Sequence, residues 1–172
     1  MHCFHSDALR HQEIVRDAFP PSPRRFTVYV TPRSGGNALT YPVMEDLERA
    51  LTIIRTEAES ESGVTFNGGM CATTGSNDCV VYSLLDLWQR EGDTLSQTQA
   101  NSVSVVQYVN DRMDEGPLLT SYGIPLPLPS IVGGAEYNSG GDIVSGKVLA
   151  IQGQIKNQAK FNPVCCMHSI VN

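Results

Sequence analysis

Arg25-Phe26-Thr27-Val28-Tyr29-Val30-Thr31 is the run on which the reading of the fold turns. It is rich in β-branched and aromatic residues, and prolines stand on both sides at Pro23 and Pro32. Such residues fit a pleated, half-buried surface, so the run predicts a β-strand. Pro32-Arg33-Ser34-Gly35-Gly36-Asn37 follows as a tight loop. Thr40 then stands as the cap of a helix, with Pro42 in its first turn and Glu45 and Asp46 near its positive end. Val43, Leu47, Leu51 and Ile54 recur about once per turn, which predicts a helix over Pro42–Glu57 with one buried stripe.

Outward from this unit, Leu9 to Phe19 carries Ile14, Val15 and Ala18 and reads as a short helix ended by Pro20, Pro21 and Pro23. On the other side, Ser83-Leu84-Leu85-Asp86 has the spacing of a capping box opening a helix with Leu87 and Trp88. A further helix is expected from Ser96 to Met113, although Val103, Val105, Val106 and Val109 are poor helix formers, and Gly116 ends it. Pro117 to Gly134, with Pro125, Pro127 and Pro129, reads as extended. Gly133-Gly134 and Gly140-Gly141 flank a turn. Val144 to Ile155 is expected as a second strand, with Leu149, Ile151 and Ile155 on one face and in the same sheet as the first strand. Mixed helices and strands far apart in sequence predict an α+β fold in two layers, a sheet covered by helices.

Composition narrows the function classes. Of 172 residues, 41% are hydrophobic and 17% charged, which suits a globular domain and is too apolar for a disordered chain. A net charge of −6 without any Lys/Arg run argues against nucleic acid and anionic membrane surfaces as partners. No stretch approaches the roughly 18 consecutive apolar residues of a membrane-spanning helix. Met1 to Phe19 has charged residues and histidines in place of a signal peptide's apolar core. No Asn-x-Ser/Thr acceptor is present.

Candidate sites are few. Cys71 and Cys79 bracket a polar loop of turn formers, Ala72 to Asp78, which suits either a disulfide or two reduced thiols. The spacing is too wide for a CxxC redox motif. His2, Cys3 and His5 near one end and Cys165, Cys166 and His168 near the other could meet at a metal only if the termini converge, and no metal site is expected. The chain lacks a GxSxG elbow, HExxH, a P-loop and a dinucleotide fingerprint, so no catalytic residue, no cofactor and no enzymatic activity are expected. Asp86 is read as a helix cap before a general base, Glu45, Asp46 and Glu48 as a solvated helix face, Gly35-Gly36 as a backbone turn, and Trp88 as core.

Three segments in order resemble the first large extracytoplasmic loop of the Patched-related, sterol-sensing-domain family, which includes the Niemann–Pick C1 proteins and belongs to the resistance-nodulation-division transporters. The first runs from Glu13-Ile14-Val15 through Phe19-Pro20 and the strand to Pro32-Arg33-Ser34-Gly35-Gly36-Asn37-Ala38-Leu39-Thr40 and its helix. The second is Cys71 to Cys79 with Val80-Val81-Tyr82-Ser83-Leu84-Leu85-Asp86-Leu87-Trp88. The third is Val132-Gly133-Gly134-Ala135 through Gly141-Asp142-Ile143-Val144-Ser145-Gly146-Lys147-Val148-Leu149.

The resemblance implies a disulfide between Cys71 and Cys79 and an α+β, ferredoxin-like porter-type domain over residues 8–157, with 158–172 an unassigned tail. It implies a lumenal or extracellular position and a share in a lipid or sterol conduit, with the parent transporter's membrane helices and second extracytoplasmic domain as partners. The chain departs from the family in having no membrane helices. The second strand would normally lead deeper into the domain, so the chain is expected to be a fragment that stops early. The other reading is a free-standing secreted or lumenal interaction module with the same fold.

Overall fold

A computed structural model describes residues 23–156, apart from 34, 61–62, 75–77 and 93; the expected helix over Leu9–Phe19 lies outside the described residues. Strand β1, Arg24–Val30, forms where the β-branched run predicts it. Its side chains alternate, with Phe26, Val28 and Val30 half-buried on one face and Arg25, Thr27 and Tyr29 exposed on the other. Helix α1, Tyr41–Thr56, buries Val43, Met44, Leu47, Leu51 and Ile54, so the predicted stripe is the face that meets the sheet. Thr40 is the residue before the helix, but its hydroxyl caps nothing. The start is held by Asn37, whose Oδ1 accepts from the backbone N–H of Leu39 at 2.9 Å and of Gly146 at 3.0 Å.

Around these lie β2 (Val81–Tyr82), α2 (Asp86–Glu91), α3 (Leu95–Ala100), α4 (Val105–Glu115), α5 (Leu128–Ile131), β3 (Val132–Gly133), β4 (Glu136–Tyr137), β5 (Ile143–Ser145) and β6 (Val148–Ile155). The last strand is the central one. Along one edge β6 pairs antiparallel with all of β1, from Arg24 opposite Ile155 to Val30 opposite Leu149. Along its other edge it meets β3 at Leu149 and Val148, β2 at Gly153 and Gln152, and Cys71 at Ile155. The two expected strands therefore share one sheet. Since β1 and β2 are each antiparallel to β6, they run parallel to each other, with α1 in the connection between them. That split β-α-β arrangement is the building unit of ferredoxin-like folds. The fold is α+β, with antiparallel sheets that do not close on themselves.

Leu149 and Ile151 of β6 are fully buried against the helical layer together with Leu47, Leu84, Ile131 and Val109. Gly153 lies opposite Phe26, and a Cβ there would run into the Phe26 ring. That ring stands edge-on to Phe66 at 5.6 Å between centroids. Only glycine lets the two strands and the aromatic pair occupy this corner together.

Three expectations about continuity are corrected. The helix expected from Ser96 to Met113 is two helices, broken after Ala100 where Ser102 takes a φ of 60°. Capping explains the break. Thr94 and Gln97 form a capping box on α3, at 3.1 and 2.9 Å, and Ser104 Oγ accepts from Gln107 N–H at 3.1 Å to start α4 afresh. The stretch Pro117–Gly134 is not extended throughout: α5 forms at Leu128–Ile131 with Pro129 in its first turn, where a proline costs no hydrogen bond. The strand expected over Val144–Ile155 is interrupted at Gly146-Lys147. There Gly146 C=O accepts from Ala38 N–H at 2.7 Å, so the chain turns toward α1, and β5 pairs with β4 in a separate hairpin. Asn110 docks that hairpin on α4 by matching its amide to both backbone groups of Ile143, each at 2.9 Å.

Leu47 is fully buried at the centre of the helix–sheet contact. Leu47→Ala should lower the free energy of unfolding by about 2–5 kcal/mol in urea titrations, with the slope against denaturant unchanged.

Candidate functional site

Cys71 and Cys79 are joined in a disulfide, with Cα atoms 5.4 Å apart. Cys71 is buried and lies across from Ile155 at the end of β6, while Thr73 and Cys79 bridge each other across the loop. Backbone hydrogen bonds knit this loop into the sheet edge: Ala72 N–H to Gln154 C=O at 2.8 Å, Val80 N–H to Ala72 C=O at 2.8 Å, and Gln154 N–H to Val80 C=O at 3.0 Å. The staple thus closes a ladder that two-residue β2 could not hold alone. A disulfide persists in oxidising surroundings, which fits a place outside the cytoplasm.

From this edge the chain enters α2 through Ser83-Leu84-Leu85-Asp86. The expected capping pair is present in altered form: Asp86 Oδ2 accepts from Ser83 N–H at 2.8 Å, and Ser83 Oγ accepts from Leu85 N–H at 3.3 Å. Asp86 is buried, and its other oxygen accepts from Ser121 N–H at 2.9 Å and Ser121 Oγ at 2.8 Å. The carboxylate is used as an acceptor that ties the 121–124 turn to α2. Next to it, the Tyr122 hydroxyl donates to Cys79 C=O at 2.6 Å. Burial holds the Tyr122 phenol above its ordinary value; the Arg55 cation pulls the other way, and Asp86 and Asp78 add to the rise.

Trp88 is core, as its surroundings predict. Its indole N–H donates to Thr98 Oγ1 at 2.9 Å, and its ring stacks on Tyr108 at 4.4 Å. The Arg112 guanidinium lies 5.0 Å from the Tyr108 ring centroid and bonds Glu115 at 2.6 Å. Burial disfavours the Arg112 charge, but its bonds to Glu115 and Tyr108 more than offset that, so the guanidinium is held more firmly charged than usual. At the end of this Trp–Tyr–Arg column an open groove of about 360 Å³ is lined by Leu87, Arg112, Glu115, Gly116, Pro117, Leu118 and Leu119. One wall is aliphatic and the other an ion pair, a combination that suits part of an amphipathic molecule. Sequence reading missed this groove. Its only local signal was Tyr108 and Arg112 one turn apart before the Gly116 stop.

Other singled-out residues are placed as follows. Glu45 and Glu48 are exposed, and Asp46 pairs with Arg49 at 3.3 Å, so they form the polar face of α1. Gly35 and Gly36 take φ values of 70° and 95°, which explains both glycines by backbone alone. His2, Cys3, His5, Cys165, Cys166 and His168 lie outside the described residues. Among the described residues no three His, Cys, Asp or Glu side chains gather as a metal site, and no helix is long and apolar enough to cross a membrane.

Reducing the disulfide should destabilise the domain by about 2–3 kcal/mol, the chain-entropy value for a loop of this length. Parallel urea titrations with and without a phosphine reductant measure it. Tyr122 supplies a pH test. Its folded value is raised, so its contribution is whole below the unfolded tyrosine value, about 10, and is lost as pH climbs through the folded value. Thermal melts should therefore fall more steeply above that pH for the parent chain than for Tyr122→Phe. Compared with known proteins, the chain matches no family model and no curated protein sequence.

Proposed function

We propose that this chain is an extracytoplasmic domain of a Patched/Niemann–Pick-type membrane transporter, one that helps wall a conduit for a lipid or sterol. The observation that carries the reading is the Cys71–Cys79 disulfide built into the sheet edge, at the place where the second of the three resembling segments puts it. The split β-α-β unit supports the porter-type fold that the first and third segments imply. A groove with an aliphatic wall and a charged rim supports contact with an amphipathic molecule, and its openness suits a wall that a neighbouring domain completes. The role assigned to this chain is shape and contact; coupling to an ion gradient belongs to membrane helices of the parent protein.

Two measurements test it. The transcript flanking this chain should encode membrane helices on both sides; a signal peptide directly upstream and a stop codon directly downstream would instead establish a free-standing secreted or lumenal module. A photoreactive sterol should label the purified chain at residues 115–119, and Leu119→Asp, at a groove residue outside the packed core, should abolish that labelling while the folded circular-dichroism spectrum is kept. Labelling spread evenly over the surface, or none, would overturn the lipid contact.

A further inference from the structure

We propose that the Cys71–Cys79 disulfide is a redox latch on the groove beside Arg112. Intact, it holds the Leu118-Leu119 part of the groove in place through Tyr122, and reduction by a dithiol releases it. The inference rests on the groove being the contact surface proposed above, and adds what regulates it. Residues 118–126 form a small hairpin: Leu126 N–H donates to Leu118 C=O at 2.8 Å, Thr120 N–H to Ile124 C=O at 2.7 Å, and Leu119 bridges Pro125. Leu118 and Leu119, on its first arm, line the groove, and Ser121 and Tyr122 stand at its tip.

The tip is pinned at two points that differ in what they are fastened to. Asp86 accepts from Ser121 N–H and Oγ at 2.9 and 2.8 Å, and it is a buried residue of α2, next to the groove residue Leu87. The Tyr122 hydroxyl donates to Cys79 C=O at 2.6 Å. Cys79 is the residue before the short β2 ladder begins, and its tie to the interior is the bond to Cys71. Cys71 is buried, donates its N–H to Phe66 C=O at 3.0 Å and lies across from Ile155. A hydrogen bond holds its donor only as firmly as its acceptor is held, so cutting the disulfide frees the second pin while leaving the first. The hairpin then has a pinned and a released state, the two-state element that such coupling requires. Cys79 is half-exposed and Cys71 is 1% exposed, so a thiolate of the dithiol attacks Cys79 Sγ. Cys71 leaves as a thiolate and takes up a proton; the second thiol of the reductant displaces Cys79 as a thiol and closes the reductant's own disulfide. Two electrons thus pass from the dithiol to the protein. By linkage, a groove ligand that prefers the pinned state opposes reduction by the same factor as reduction weakens its binding.

The test uses the full chain carrying Cys3→Ser, Cys165→Ser and Cys166→Ser, so that Cys71 and Cys79 are its sole cysteines. On reduction with dithiothreitol, the amide NMR resonances of residues 116–119 should shift or broaden while those of Val28 and Ile151 stay in place. Tyr122→Phe, with the disulfide intact, should move the same 116–119 resonances, and reducing that variant should move them no further. Tyr29→Phe, on the exposed face of β1, should leave them unchanged. Labelling by the photoreactive sterol should fall about fivefold or more on reduction of the parent chain. Resonances of 116–119 that ignore reduction overturn the latch, and so does a response to reduction that Tyr122→Phe leaves intact. Loss of native dispersion throughout the chain on reduction makes the bond a staple of the whole fold and overturns it as well. Moving resonances with unchanged labelling overturn the regulation. Absence of labelling in the oxidised chain, with the resonances responding as expected, overturns the sterol contact and upholds the latch.

Discussion

The structure depends on β6 being hydrogen-bonded along both edges. A strand whose side chains are buried cannot leave its backbone groups unpaired, because each lost bond costs as much as the packing of a side chain gains. β6 meets that demand with one long partner, β1, and three short ones in line, β3, β2 and the Cys71 segment. Its inner face then presents Leu149, Ile151 and the bare Gly153 to α1 and the Phe26–Phe66 pair. The central strand is also the last one in the described chain. The sheet therefore assembles only when segments far apart in the sequence meet, a non-local pairing of the kind that slows folding.

That arrangement explains where the polar side chains are spent. The edge made of short pieces has too few ladder bonds to hold itself, and it is here that the disulfide, Asp86, Ser121 and Tyr122 cluster. Asn37 and Asn110 serve the same purpose at the other end, each amide satisfying the backbone of a turn or hairpin that has no regular partner. No buried side-chain polar atom among the described residues lacks a partner. The polar groups of the interior are committed to architecture, and the groove beside Arg112 and Glu115 and the open face of the sheet lie at the surface. On that face Tyr82 donates to Gln152, which in turn donates to Ser130 C=O, so the surface is ordered as well as polar.

The local signals that worked were those whose physics is local. The β-branched run Arg25–Thr31 became a strand one residue earlier at each end, and the stripe Val43, Leu47, Leu51 and Ile54 became the buried face of α1. Periodicity failed where the chemistry of a helix start outranked it. Ser104 restarted a helix that the apolar spacing alone would have continued, and Pro129 opened α5 inside a stretch that proline content made look extended. The groove was invisible for a different reason: Leu87 and Leu119 have no reason to be neighbours until α2 and the 116–119 segment are packed side by side.

By itself, then, the sequence determined the two main strands, the helix between them, the face that helix buries and the α+β class, because side-chain shape and spacing act within a turn or a strand. It left the state of Cys71 and Cys79 open between a bond and two thiols, and the resemblance alone favoured the bond. Tertiary structure decided that bond, since only the pairing of the Cys71 segment with the far end of β6 brings the loop's two sides into register. It also decided that the last strand of the described residues is the middle one, because strand order comes from which distant backbones find each other, and no window of the sequence contains both partners.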